Sequence, residues 1–337
     1  MTFAGAAVLM AVALLIGGQA NGSAAREMVI QLVAVFVAGS AFMVTRTSTD
    51  PAIKAAKWVV AATVGLVVLH LVPLPYSLWA ELNPVDTAKE VLSQLGMADG
   101  WRPYTLDPAQ GFDNLLLLLP PVAMYFAVLK LRPRARLQLT VLACIMATIS
   151  AVTGLLQYGS GTQSLAFYDA TNLGFGTGFF SNRNHQADLA IIGWLLAAVL
   201  VASPILPTSR KGGMAQGAAL LLATALFVLA ILATGSRGGF LLAGFAGLAV
   251  LVIRFAGNAG KIFGALIGAG MLAAATLAVA ASSGSALLNE TLERFGSEDE
   301  ARLIIWPRIL ELVSDVMPLG AGIGSFTELY RFTEPLE

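Results

Sequence analysis

The chain has 337 residues, 57% of them hydrophobic and 12% charged, with a mean hydropathy of +0.78. Soluble domains carry about twice that share of charge, and one core could not bury so many apolar runs. Zero net charge excludes a nucleic-acid binder acting through bulk charge, and a single cysteine, Cys144, excludes an intrachain disulfide or a thiolate metal site.

The charge-free runs predict an all-α integral membrane protein, a polytopic bundle of about nine transmembrane helices. In chain order they are Met1–Ala25, Met28–Thr45, Trp58–Ala80, Asn114–Leu129, Leu137–Tyr168, Leu189–Ser209, Gly212–Ser236, Gly238–Ile253 and Ile262–Asn289. Each approaches the roughly 20 apolar residues that cross the hydrocarbon, and none alternates as a barrel strand does. The first run lacks the basic leader and cleavage site of a signal peptide and reads as a span. By domain, 1–282 forms the membrane part, and 283–337 an outer segment.

Orientation follows from the short loops. With the N-terminus in the cytoplasm, Arg46, Lys54, Lys57, Lys130, Arg132, Arg134, Arg136, Arg210, Lys211, Arg254 and Lys261 all lie inside, with Asp50 as the only acid. That is the positive-inside pattern. Outside then fall a long loop over Tyr76–Phe112, whose Trp79 and Trp101 suit the headgroup region, a Gly-rich loop over Tyr158–His185, and the C-terminal stretch. The last reads as a short interfacial helix. Ser297–Glu300 has capping-box form, apolar positions follow at helical spacing, and Pro307 kinks it.

Four outer arginines draw attention. Arg237 sits in the turn Thr234-Gly-Ser-Arg-Gly-Gly239, too short to carry it far from the membrane. Gly238 and Gly239 allow close backbone approach, and the next helix offers free N–H groups, so a phosphate site and an arginine reaching for lipid headgroups both fit. Arg183, Asn184 and His185 form a donor-rich cluster before a span, suited to a polar ligand or to loop stabilisation. His185 reads as a general base or as a capping residue. His70, inside an apolar run, reads as a hydrogen-bonded packing residue. Arg302 shares a helix face with Trp306, while Arg308 points elsewhere, toward Glu311 or lipid. The acids Glu298–Glu300 diverge along a helix and suit its positive start better than a metal. Gly320–Gly324 follows no strand that would make it a dinucleotide loop.

Four motifs carry a family resemblance: Val72-Pro-Leu-Pro75, Phe179–Ala187, Thr234–Gly239, and Arg302–Phe326 with Trp306, Pro318-Leu-Gly320 and Gly322–Phe326. From about Val72 onward the sequence resembles the O-antigen ligase family, which shares its core with O-antigen polymerases. The resemblance implies a multi-pass protein of the bacterial inner membrane with a periplasmic C-terminal segment. It implies transfer of a glycan from undecaprenyl pyrophosphate to a hydroxyl of the lipid A core or of a growing polysaccharide. It implies no metal and no cofactor. Arg237 and Arg302 match the family's two functional arginines, and Arg183, Asn184, His185 and Arg308 are the accompanying substrate-binding candidates. One feature departs from the family: its His-containing motif, proposed to activate the acceptor, would follow Glu337, so the expectation is a truncated member. The competing readings are an exporter of an anionic solute, disfavoured because the middle of the spans holds none of the expected ionisable residues apart from His70, and an inert fragment.

Overall fold

The computed structural model describes residues 2–19, 22–44, 51–161, 165–169, 172–203, 210–255 and 301–333. The elements in order are α1 (Thr2–Ile16), α2 (Ala24–Phe42), α3 (Pro51–Leu71), β1 (Pro73–Pro75), α4 (Tyr76–Leu82), α5 (Asp86–Gln94) and β2 (Trp101–Pro103). There follow α6 (Pro108–Leu117), α7 (Leu119–Lys130), α8 (Pro133–Ser160), α9 (Arg183–Ala202), α10 (Arg210–Thr234), α11 (Arg237–Arg254), α12 (Ala301–Asp315) and α13 (Phe326–Thr333). The protein is an all-α polytopic membrane protein. Among the described residues, seven helical segments are long and apolar enough to span, with α6 and α7 together making one of them. Large apolar side chains such as Phe36, Trp58, Leu221 and Leu222 stand more than 70% exposed, as a lipid-facing surface requires.

The expected boundaries shift where local chemistry decides them. The first run yields a helix of 15 residues, about 22 Å long, which stops before Gly17-Gly18. The third span ends at Leu71, well short of Ala80, because Pro73 and Pro75 cannot continue a helix and instead form β1. Helix α9 starts six residues before the expected Leu189, because Asn182 caps it by accepting from Asn184 N at 2.9 Å. Arg183, Asn184 and His185 therefore occupy a first helical turn and not a loop. Helix α12 runs through Pro307 without ending there. The expected ninth span and the Ser297–Glu300 cap lie outside the described residues.

The chain divides into two compact units, one from residues 1–40 and 130–297 and the other from 41–129 and 298–337. In the first, α9 is the central helix and packs on α8, α10 and α11. Its contact face is made of small residues, Ala187, Ala190, Gly193, Ala197 and Ala198, which let backbones approach closely. A Cβ on Gly193 would lie 2.7 Å from both Ala147 Cβ and the Phe227 ring. Trp194 closes this core and donates its indole N–H to Thr224 Oγ1 at 2.9 Å.

In the second unit, β1 and β2 pair antiparallel with Leu74 opposite Arg102. The segment 320–325 is sewn onto residues 70–111. Tyr104 Oη donates to Gly320 O at 2.6 Å, Thr105 Oγ1 to Ile323 O at 2.7 Å, and Ile323 N to His70 Nδ1 at 3.1 Å. Ser325 Oγ lies 2.9 Å from Thr105 Oγ1 and accepts from Leu106 N at 2.9 Å. Gly322 runs at φ +95° with no room for a Cβ against Thr105. The Val72–Pro75 and Gly322–Phe326 motifs thus serve one folded module. Trp79 departs from the headgroup placement expected of it. It is buried, donates its Nε1–H to Tyr104 O at 3.2 Å, and has the Arg102 guanidinium 5.3 Å above its ring; Trp101 does stay exposed.

Candidate functional site

At one end of the first unit, the starts of α9 and α11 meet the ends of α8 and α10. Two polar residues inside the apolar core position the intervening 172–182 segment. Gln157, in the last turns of α8, accepts on Oε1 from Thr177 N at 2.9 Å and Gly178 N at 2.7 Å, and donates through Nε2 to Gly178 O at 3.1 Å. Ser150, a buried hydroxyl two turns earlier, donates to Gln186 Oε1 at 2.6 Å and accepts from Phe179 N at 3.1 Å. Gly176 N adds a bond to Ala233 O at 2.9 Å, which ties the segment to the end of α10. A buried loop needs such partners for its backbone, and here the span supplies them.

That frame brings two of the predicted motifs together. Ser236 caps α11, accepting from Gly239 N at 3.0 Å, and its hydroxyl donates to Asn184 Oδ1 at 2.8 Å. Asn184 stands in the first turn of α9, so one hydrogen bond joins the two helix starts. Gly239 leaves the space that α9 needs, since a Cβ there would sit 2.7 Å from Ala187 Cβ. Gly238 faces open space and has no such role.

Arg183 and Arg237 are the first residues of α9 and α11, and both are half-buried. Neither helix carries an acid in its first turn. A cation at a helix start opposes the dipole, and here the two helix starts that carry one are joined by the Ser236–Asn184 hydrogen bond. The Arg183 guanidinium lies 4.3 Å above the Phe175 ring centroid and reaches the turn before Arg237: a Cβ on Gly235 would be 3.6 Å from its Nη1. His185 is exposed, its ring 6.0 Å from that of Phe180.

Sequence reasoning passed over one further cation beside this site. Arg26, at the start of α2, lies 5.0 Å above the Tyr168 ring and donates to Gln19 Oε1 at 2.8 Å. The turn before it is docked on the same segment, since Ser181 N and Oγ both donate to Gly18 O, at 2.8 and 3.1 Å. Its signal was a basic residue between the first two spans, on the outer side. Gln157 was also legible, as an amide in the longest charge-free run.

The other candidates belong to the second unit. Arg302 is the second residue of α12, with its side chain outside the described residues, and Arg308 is exposed on the same helix. Arg302 and Trp306 are four positions apart, as one helix face requires.

Residues 222–336 match the family model described as O-antigen ligase. The matched stretch includes the turn at 234–239, α11, α12 and α13. No curated protein and no solved structure matches the chain.

Proposed function

We propose, for a chain whose residues 222–336 match the family model described as O-antigen ligase, that it transfers a glycan from undecaprenyl pyrophosphate to an acceptor hydroxyl, of a lipid A core or of a growing polysaccharide. The observation that carries this reading is the pair of arginines opening α9 and α11, joined through Asn184 and Ser236. As the glycosidic bond breaks, the departing diphosphate gains charge. Guanidinium groups and helix N–H groups already fixed in place stabilise that charge without having to reorganise. Asn184 and His185 lie beside them as candidate contacts to sugar or phosphate. The acceptor hydroxyl attacks the anomeric carbon, the diphosphate departs with the bonding pair, and the hydroxyl proton passes to a base or to solvent.

The reading places this end of the spans on the periplasmic face of the inner membrane. Arg132, Arg134, Arg136 and Arg254 stand at the opposite ends of α8 and α11, as the positive-inside rule asks. Arg302 and Arg308 enter through the resemblance, Arg302 as the second functional arginine and Arg308 as a substrate contact.

The test is glycan transfer in membranes supplied with an undecaprenyl-pyrophosphate-linked glycan. Arg237→Ala should lower the rate by about 10²–10³-fold while the protein still accumulates in the membrane, and Arg302→Ala should behave alike. Transfer by Arg237→Ala at the parent rate would remove the basis of the assignment.

A further inference from the structure

A side chain with no polar atom, Phe175, touches both the Arg183 guanidinium and the turn that leads to Arg237. Phe175, in the connection between α8 and α9, lies beneath Arg183, whose Cζ is 4.3 Å from the ring centroid. The ring is also packed against the turn that leads to Arg237: a Cβ on Gly235 would lie 2.7 Å from Phe175 Cε1, and Gly235 runs at φ +55°. The neighbouring Gly176 N bonds to Ala233 O at 2.9 Å, so the backbone beside the ring is anchored to the end of α10. One aromatic ring is therefore held between the segment that carries Arg183 and the turn that carries Arg237.

We infer that Phe175 is a positioning residue for the anion site: its ring holds the Arg183 guanidinium against the 234–239 turn, so that a diphosphate meets Arg183 and Arg237 together. This inference rests on the reading of that site given above. The attraction is between the cation and the electron-rich ring face. A guanidinium held in one place presents the planar fork geometry that suits phosphate oxygens. Leucine at 175 would fill part of the space and supply no such face, whereas tyrosine would keep it.

The test measures inorganic pyrophosphate binding to the full chain in lipid nanodiscs by calorimetry. It compares the parent with Phe175→Leu, Phe175→Tyr, Arg183→Ala and the Phe175→Leu/Arg183→Ala double variant. Phe175→Leu should weaken binding by about three- to tenfold, and Phe175→Tyr should bind as the parent does. In the Arg183→Ala background the leucine substitution should change nothing further, because a residue that acts through Arg183 has nothing left to position. Equal losses from Phe175→Leu in both backgrounds, or equal losses in the leucine and tyrosine variants, would overturn the inference and make Phe175 a packing residue only. If the leucine variant fails to accumulate, Phe175→Met replaces it under the same criteria. Arg183→Ala binding as tightly as the parent would instead overturn the reading of the site itself, and the inference with it. Weakened binding in Arg183→Ala with parent affinity in Phe175→Leu would overturn the inference alone.

Discussion

Tyr104 shows what a single side chain contributes here. Its hydroxyl donates to Gly320 O across 216 positions of sequence, its carbonyl accepts from Trp79 and Asn83, and its ring lies 5.2 Å from that of His70. Tyr104→Phe removes one net hydrogen bond and leaves Gly320 O without this donor, so the second unit should lose about 1 kcal/mol, read as a lower thermal midpoint in detergent. Burial raises the phenol's pKa above its ordinary value of 10.0. The sign follows from proton binding: between the ordinary and the raised value the folded form holds the proton that the unfolded form has lost. The tie is therefore intact below pH 10 and is lost as pH climbs through the raised value, and Tyr104→Phe should flatten that alkaline fall. Arg237 was visible in the sequence as a cation held near the membrane, and Arg183 as part of a donor-rich cluster before a span. Their partnership through Asn184 and Ser236 was not, because no local pattern announces a bond between residues 52 positions apart.

At the scale of elements, composition located the spans and capping chemistry set their ends. Asn182 and Ser236 are each followed by an arginine, and that order is what places both cations in first turns. A reading that ended its spans at charges necessarily left Arg183 and Arg237 in loops, since hydropathy registers where an apolar run stops and not where the backbone begins to coil. The strand pair 73–75 with 101–103 was equally hidden, being three residues long and rich in proline. The packing of α9 yields a prediction of its own. Gly193 stands where a Cβ would meet Ala147 and Phe227 at 2.7 Å, so Gly193→Ala should overpack the helix core and cost about 1–3 kcal/mol. Its melting midpoint should fall, whereas Gly217→Ala on α10, where a Cβ meets nothing within 4 Å, should leave it unchanged or slightly raised. Equal midpoints for the two would disprove close packing at Gly193.

Over the whole molecule, charge asymmetry makes the claim that is simplest to check. With Cys144 replaced by serine, a new cysteine at Asn184 should react with a membrane-impermeant maleimide added outside intact spheroplasts, and one at Arg134 only after lysis. The reverse pattern would invert the assigned orientation. The all-helical polytopic class was legible because bilayer thickness imposes a length on every span. The division into two units was not, since each interleaves an early and a late stretch of chain. That interleaving bears on biosynthesis. His70 and Thr105 leave the ribosome long before their partners, Ile323 trailing His70 by 253 residues and Ser325 trailing Thr105 by 220. The nascent protein must therefore hold residues 70–106 without these partners, and this module matures only after translation has passed Ser325.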